Sequence, residues 1–458
     1  MESRYQSIAS DEGWRIADLG ESSLRSKSKW HGLEEDSDDH MKMEYFSLGI
    51  SSGASAQMLI VTFCMLFLST YHDAGPLNEL SKEYYPMFRM IFFVLWFFIL
   101  YGLNLFVWKR YKVGYHELMG MDREVHSYQM VLRAATSLAY IVFTCFVVYA
   151  LMVAGLIVGT KDSDWKHLFP ALALGLPILL YFSPSNLTGI CFGDNDTVKH
   201  RYGLVKELGC VLAAPFVTCT PLRSLIGDIL CSMPKTLTDL SYTICLFSDV
   251  KQLQDGSHEC IQGPLASSSS ARYFFVTLAM SMAPYILRCT QALRSYADQH
   301  QSDSNKTNLL NAFKYLMSVV VTLLNVVKVN SAPGLLKDRM TTAWFIVAAC
   351  TTLFSYYADV AMGWGLMNWN SKNFLLRDEL TYPKSWYYMA IVGNFFMRLA
   401  WAFNISPGQP YVAQNVILLF GCLEIFRRFV WLTFRVENMD LNAKAKKAAH
   451  GLIEMPSR

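Results

Sequence analysis

Two adjacent arginines, Arg427 and Arg428, sit inside an apolar run from Val416 to Phe434. Guanidinium groups offer planar, multidentate N–H donation, which suits a carboxylate or a tetrahedral oxyanion. A charge at the centre of a bilayer costs at least about 2.5–3.5 kcal/mol unless it is paired or hydrated. Two readings follow from this stretch. Either the arginines end a helix and snorkel to the headgroups, or they belong to an anion site inside a helix bundle. Glu424 precedes them by three and four residues, a helical spacing that lets it pair with one and leave the other free.

Other charges fall in similarly apolar settings. Arg398 lies in Ile391 to Ile405, with Trp401 one turn further on. Lys314 stands near the start of one run and Asp359 late in another. Asp228 and Asp239 lie on either side of Pro234, and Arg288 and Arg294 end a further run. Arg294 and Lys314 have a snorkelling alternative. Cations outnumber nearby acids, which points to an anionic ligand. The cysteines show no metal-ligand spacing, and no His-Glu-x-x-His or Ser/His/Asp set is evident. No metal, cofactor or enzymatic activity is expected.

The elements that must position these charges are membrane helices. The chain has 458 residues, 53% of them hydrophobic and 17% charged, with the apolar residues gathered into runs near the length of a bilayer core. The net charge of +3 has no basic, aromatic-interleaved stripe behind it, so no nucleic-acid partner is expected. The predicted class is an all-α polytopic membrane protein with about ten spans, the lipid bilayer being its first partner.

Residues 1–50 read as a disordered cytosolic tail with an acidic run, Glu34 to Asp39. No cleavable signal is visible, because the first apolar run starts too late. A four-helix scaffold is expected over 51–183, with spans near 54–72, 88–108, 134–158 and 167–183. Arg89 is read as belonging to the loop before the second span, so no core of these four carries an Asp, Glu, Lys or Arg. Gly203 to Thr220 reads as an amphipathic helix in the interface. A fifth span, 221–247, is broken by Pro234. Spans at 271–290, 308–328, 340–363, 386–404 and 411–433 complete a second-half six-helix bundle over 184–440. A basic cytosolic tail is expected over 441–458. The basic loop 109–133 and the Lys444 to Lys447 cluster put both termini in the cytosol. A Cys245–Cys260 bridge across loop 248–270 is left open, as is a homodimer.

Four stretches carry a family resemblance: Asn311-Ala312-Phe313-Lys314-Tyr315, Leu376 to Tyr388, Arg398-Leu399-Ala400-Trp401, and Leu423 to Trp431 followed by Phe434-Arg435-Val436-Glu437-Asn438. Gly227-Asp228 and Pro284 to Arg288 add to them. Over roughly 200–440 the chain resembles the EXS-domain family, the membrane domain of eukaryotic phosphate exporters. The resemblance implies inorganic phosphate as substrate, with a path through Asp228, Lys314, Arg398, Trp401, Arg427 and Arg428. Arg288, Asp239, Asp359 and Glu424 are expected to support it. Asp228 would orient an arginine or accept a proton from protonated phosphate, favouring phosphate over sulfate.

The chain departs from the family pattern at Gly363, Ser304 and Gly393-Asn394, where the family has charged residues. Only about 50 polar residues precede the first expected span, so an inositol-polyphosphate-sensing SPX domain is not expected. The chain resembles the short branch, Golgi proteins linked to retention of ER lumenal proteins. That resemblance implies a Golgi membrane and return of phosphate from lumen to cytosol, with the plasma membrane as the alternative location. The rival reading is a non-transporting scaffold or receptor that retains Golgi and ER proteins.

Overall fold

The computed structural model describes residues 48–49, 52–57, 59–60, 84–120, 128–153, 164–183, 197–247, 268–298, 305–331, 334–399 and 414–453. The expectations for most of the tail, most of the first span, Cys260, Ser304 and Trp401 lie outside these residues. Contacts divide the chain into two units, Met1–Ala54 and Ser55–Arg458, and everything below concerns the second.

Among the described residues the regular elements are helices and none is a strand. In order they are α1 (Tyr85–Arg110), α2 (Tyr115–Met119), α3 (Tyr128–Val153), α4 (Leu168–Phe182), α5 (Thr197–Leu212), α6 (Pro221–Leu230), α7 (Pro234–Phe247), α8 (Ser268–Asp298), α9 (Asn305–Asn330), α10 (Leu335–Tyr357), α11 (Lys384–Leu399) and α12 (Gln414–Ile453). Among the described residues, four stretches are long and apolar enough to cross a membrane: Tyr85–Arg110, Tyr128–Val153, Lys306–Lys328 and Leu335–Gly363. The chain is an all-α membrane protein.

Neighbour contacts close on themselves. α1 packs on α7, α7 on α8, α8 on α9, α9 on α10, α10 on α11, α11 on α12, and α12 returns to α1. Helix α3 packs on the outside of α1 and α4 on α3. The charged helices of the second half are thus completed by α1 from the first half.

That arrangement corrects the reading of Arg89 as a loop residue. Pro86 starts α1, where its missing N–H costs nothing, so Arg89 lies within the helix. It is buried and makes a two-pronged pair with Asp239 of α7, both contacts at 2.8 Å. Asp239 also takes Lys235, at 2.8 Å.

Three local features shape the ring. Thr220 caps α6 by accepting from the Arg223 N–H, and Pro234 starts a new helix after the break at Cys231 to Met233. The expected broken span is therefore two half-helices. Second, α10 ends in a π-helical turn, Ala358–Gly363, in which the Trp364 N–H reaches the Asp359 carbonyl at 3.0 Å. Such widened turns recur at functional sites. Third, α12 runs unbroken to Ile453 instead of stopping near 433. The chain 364–383 folds over its polar continuation. Glu437 is fully buried there, accepting from the Tyr387 hydroxyl and the Thr381 N–H, with Arg377 at 2.8 Å. Burial, with the Glu437 carboxylate adding to it, pushes the nearby Tyr382 hydroxyl well above its ordinary range.

Helix α5 presents Leu204, Val205, Leu208 and Leu212 outward, an apolar strip at helical spacing that suits a helix lying on a bilayer. The Arg223–Glu207 pair, 2.7 Å, ties it to α6. Cys245 at the end of α7 is disulfide-bonded.

Candidate functional site

The ring brings most of the sequence-predicted residues into two linked clusters. The first centres on Asp228 of α6. Gly227 beside it has no side chain, and a Cβ there would lie 2.5 Å from Gln291 Oε1 and 3.0 Å from Arg288 Cδ. Glycine therefore lets α8 close on α6. Arg288 then donates to Asp228 from Nε at 2.7 Å and Nη2 at 3.3 Å, and to the Ser224 hydroxyl at 2.7 Å. The Tyr315 hydroxyl of α9 donates to the same carboxylate.

The second cluster centres on Asp359, in the π-helical turn. One of its oxygens takes Arg398 of α11 and, at 3.2 Å, Arg427 of α12. Lys314 lies 4.0 Å from the other oxygen. Arg427 is further held by Glu424, through Nε at 2.8 Å and through Nη2, and reaches Asn394 Oδ1 at 3.4 Å. Lys314 joins the clusters. Its ammonium lies 4.5 Å over the Tyr315 ring, and Asp228 and Asp359 both act on it electrostatically.

Arg428 is placed differently from its neighbour. Its Nε donates to Ser232, in the break between α6 and α7, at 2.8 Å. Its guanidinium lies 4.5 Å from the centre of the Trp431 ring. No carboxylate lies within salt-bridge distance of it among the described residues. So Glu424 takes Arg427 and leaves Arg428.

Five cations, Arg288, Lys314, Arg398, Arg427 and Arg428, thus share three carboxylates, Asp228, Asp359 and Glu424. All are buried or partly buried. Four N–H donors have no acceptor among the described residues: Arg398 Nε, Arg428 Nη1, Asn394 Nδ2 and Trp431 Nε1. Leaving a buried donor unmet costs about 1–3 kcal/mol, more for a charged one. An excess of positive charge and unmet donors is chemistry for an anion.

Asp239 stands apart. It is held by Arg89 and Lys235 and touches none of the other predicted residues among those described. Trp401 is outside the described residues. Sequence reasoning missed Arg89, Ser224, Ser232, Tyr315 as a partner of Asp228, and Arg435. Arg435 follows Arg427 and Arg428 at eight and seven residues on α12, a spacing that marks one helix face. It donates to the carbonyls of Gly363 at 3.1 Å and Met362 at 3.4 Å.

The sequence profile described as the EXS family matches residues 84–441, from α1 into the polar part of α12. "Phosphate transporter PHO1 homolog 10" of Arabidopsis thaliana is 26% identical over 440 residues, covering 91% of this chain and 51% of its own. "SPX and EXS domain-containing protein 3" of Dictyostelium discoideum is 28% identical over 420 residues, covering 88% and 42%. "Solute carrier family 53 member 1" of Cricetulus griseus is 27% identical over 378 residues, covering 80% and 52%. The chain spans about half the length of these curated relatives.

Proposed function

The chain belongs to the EXS family, and from that premise we propose that it moves inorganic phosphate across a membrane. It is a transporter and not an enzyme in this reading. The observation that carries it is the charge inventory of the two linked clusters: five cations, three carboxylates, and donors with no acceptor among the described residues. Phosphate, singly or doubly charged near neutrality, matches an excess of two positive charges.

The path runs past Asp228, Lys314, Arg398, Trp401, Arg427 and Arg428. Arg288 fixes Asp228, Glu424 fixes Arg427, and Asp359 gathers three cations around one carboxylate. Asp239 supports the path from a distance, by fastening α7 to α1. Several moderate sites in series let an ion enter and leave, and a helix broken at Ser232 offers polar backbone only where the bundle shields it.

The proposed topology has ten spans with both termini in the cytosol. Lys447 of α12 lies 2.8 Å from Glu117 of α2, which supports one side for the basic 109–133 loop and the end of α12. The disulfide at Cys245 supports an oxidising side at the far end of α7. An oxidising lumen fits the Golgi membrane, with phosphate returned to the cytosol and the protein present as a homodimer or a monomer. The test is uptake of labelled phosphate by proteoliposomes holding the purified chain, with sulfate as competitor. Protein-free rates would contradict transport and favour the scaffold reading.

A further inference from the structure

Trp431 and Arg428 are packed as a unit, 4% and 6% exposed, with the guanidinium over the indole ring at 4.5 Å. Both are pinned by other atoms. Arg428 is held by Nε on Ser232, and the Trp431 carbonyl accepts from the Trp364 indole at 3.1 Å. Arg428 Nη1 and Trp431 Nε1 are both buried, and neither has an acceptor among the described residues.

Gly363 lies across the interface from the indole N–H. A Cβ at that position would lie 3.2 Å from Trp431 Nε1. A longer polar side chain there would end against the indole N–H. The Gly363 carbonyl cannot serve, because it already accepts from Arg435 at 3.1 Å and Asn438 at 3.0 Å. Glycine thus keeps the donor open while its backbone is fully used.

We propose that Trp431 Nε1 and Arg428 Nη1 together donate to the oxygens of the transported anion, and that Gly363 is the position that keeps this pair available. The proposal rests on the phosphate reading and deepens it. The pair offers donors alone, so it takes unprotonated oxyanion oxygens. An acid at position 363 would act as a built-in competitor, accepting from the indole and lowering the charge that the anion meets.

The test uses the full chain in proteoliposomes, with inorganic phosphate as the probe and initial rates read against concentration. Trp431→Phe keeps a ring beneath the guanidinium and removes the N–H. It is expected to raise KM about threefold to tenfold, the effect of one lost hydrogen bond, with the maximal rate largely kept. Trp431→His restores an N–H and is expected to recover part of that loss. Gly363→Asp is expected to raise KM about tenfold or more, since it adds both an acceptor and a charge. Thermal unfolding of each variant in detergent accompanies the rates, and Gly363→Asp alone decides if the Trp431 variants do not fold. A KM unchanged by Gly363→Asp, or equal losses in Trp431→Phe and Trp431→His, overturns the proposal. A wild-type chain without phosphate flux overturns the function instead, and so the two failures are distinct.

Discussion

Arg427 lies 3.2 Å from an oxygen of Asp359, and Arg398, from a different helix, donates to that same oxygen. One carboxylate therefore joins α11 and α12 to the end of α10, with Lys314 of α9 on its other oxygen. Removing it leaves three buried cations facing one another. Asp359→Asn is expected to destabilise the protein by about 3–5 kcal/mol, as for a buried pair that loses one partner. Thermal unfolding in detergent measures this; an unchanged midpoint would mean that the cations are hydrated and not held by Asp359.

Asp228 tests selectivity. Its carboxylate takes Arg288 and the Tyr315 hydroxyl, and a protonated phosphate would compete for it as a donor where sulfate cannot. Asp228→Asn is expected to reduce the preference for phosphate over sulfate by about tenfold, the scale of one hydrogen bond to a charged group. Competition assays in proteoliposomes read the ratio. An unaltered ratio assigns Asp228 to holding Arg288 alone.

Arg89 and Asp239 form a buried pair remote from the other predicted charges. Arg89→Met alone is expected to cost about 3–5 kcal/mol, because Asp239 is left with only the partly exposed Lys235. Arg89→Met with Asp239→Leu is expected to recover most of that loss, since apolar replacement of a whole buried pair is often neutral. Phosphate KM in the double variant should stay within about twofold of wild type, because neither residue contacts the proposed path. A large KM change would place this pair on the path.

Glu437 holds the chain 364–383 against α12 through Tyr387, Thr381 and Arg377. Glu437→Ala leaves these donors unmet at a cost of about 1–3 kcal/mol each. Limited proteolysis is expected to cut within 364–383 much faster than in wild type. Equal protection in both would show that the aromatic packing of Trp364, Tyr382 and Phe434 holds the segment unaided.

The membrane class was legible because apolar runs of span length are a one-dimensional signal. The same signal hid Arg89. Its apolar run is densest from Met90 onward, and what makes Arg89 part of the bundle is Asp239, 150 positions away. Pairing between Glu424 and Arg427 could be read from helical spacing, whereas the Ser232 contact of Arg428 depends on a helix break packing against α12. The end of α12 was hidden for a similar reason. Arg435, Glu437 and Asn438 lie beyond the expected span end at 433, and the folding of 364–383 over them makes them interior. Gly363 reads in the sequence as a missing acid, and the ion pairs of Asp359, one turn back, make that residue the acid the cations share.

The central claim is that the buried cations carry phosphate. It is tested most directly by phosphate flux in proteoliposomes for wild type, Arg398→Ala and Arg428→Ala, with equal protein incorporation. The wild type should transport phosphate, and each variant should lose about tenfold or more, since a hydrogen bond to a charged group contributes about 1.5–3 kcal/mol. Equal flux in all three would contradict the account.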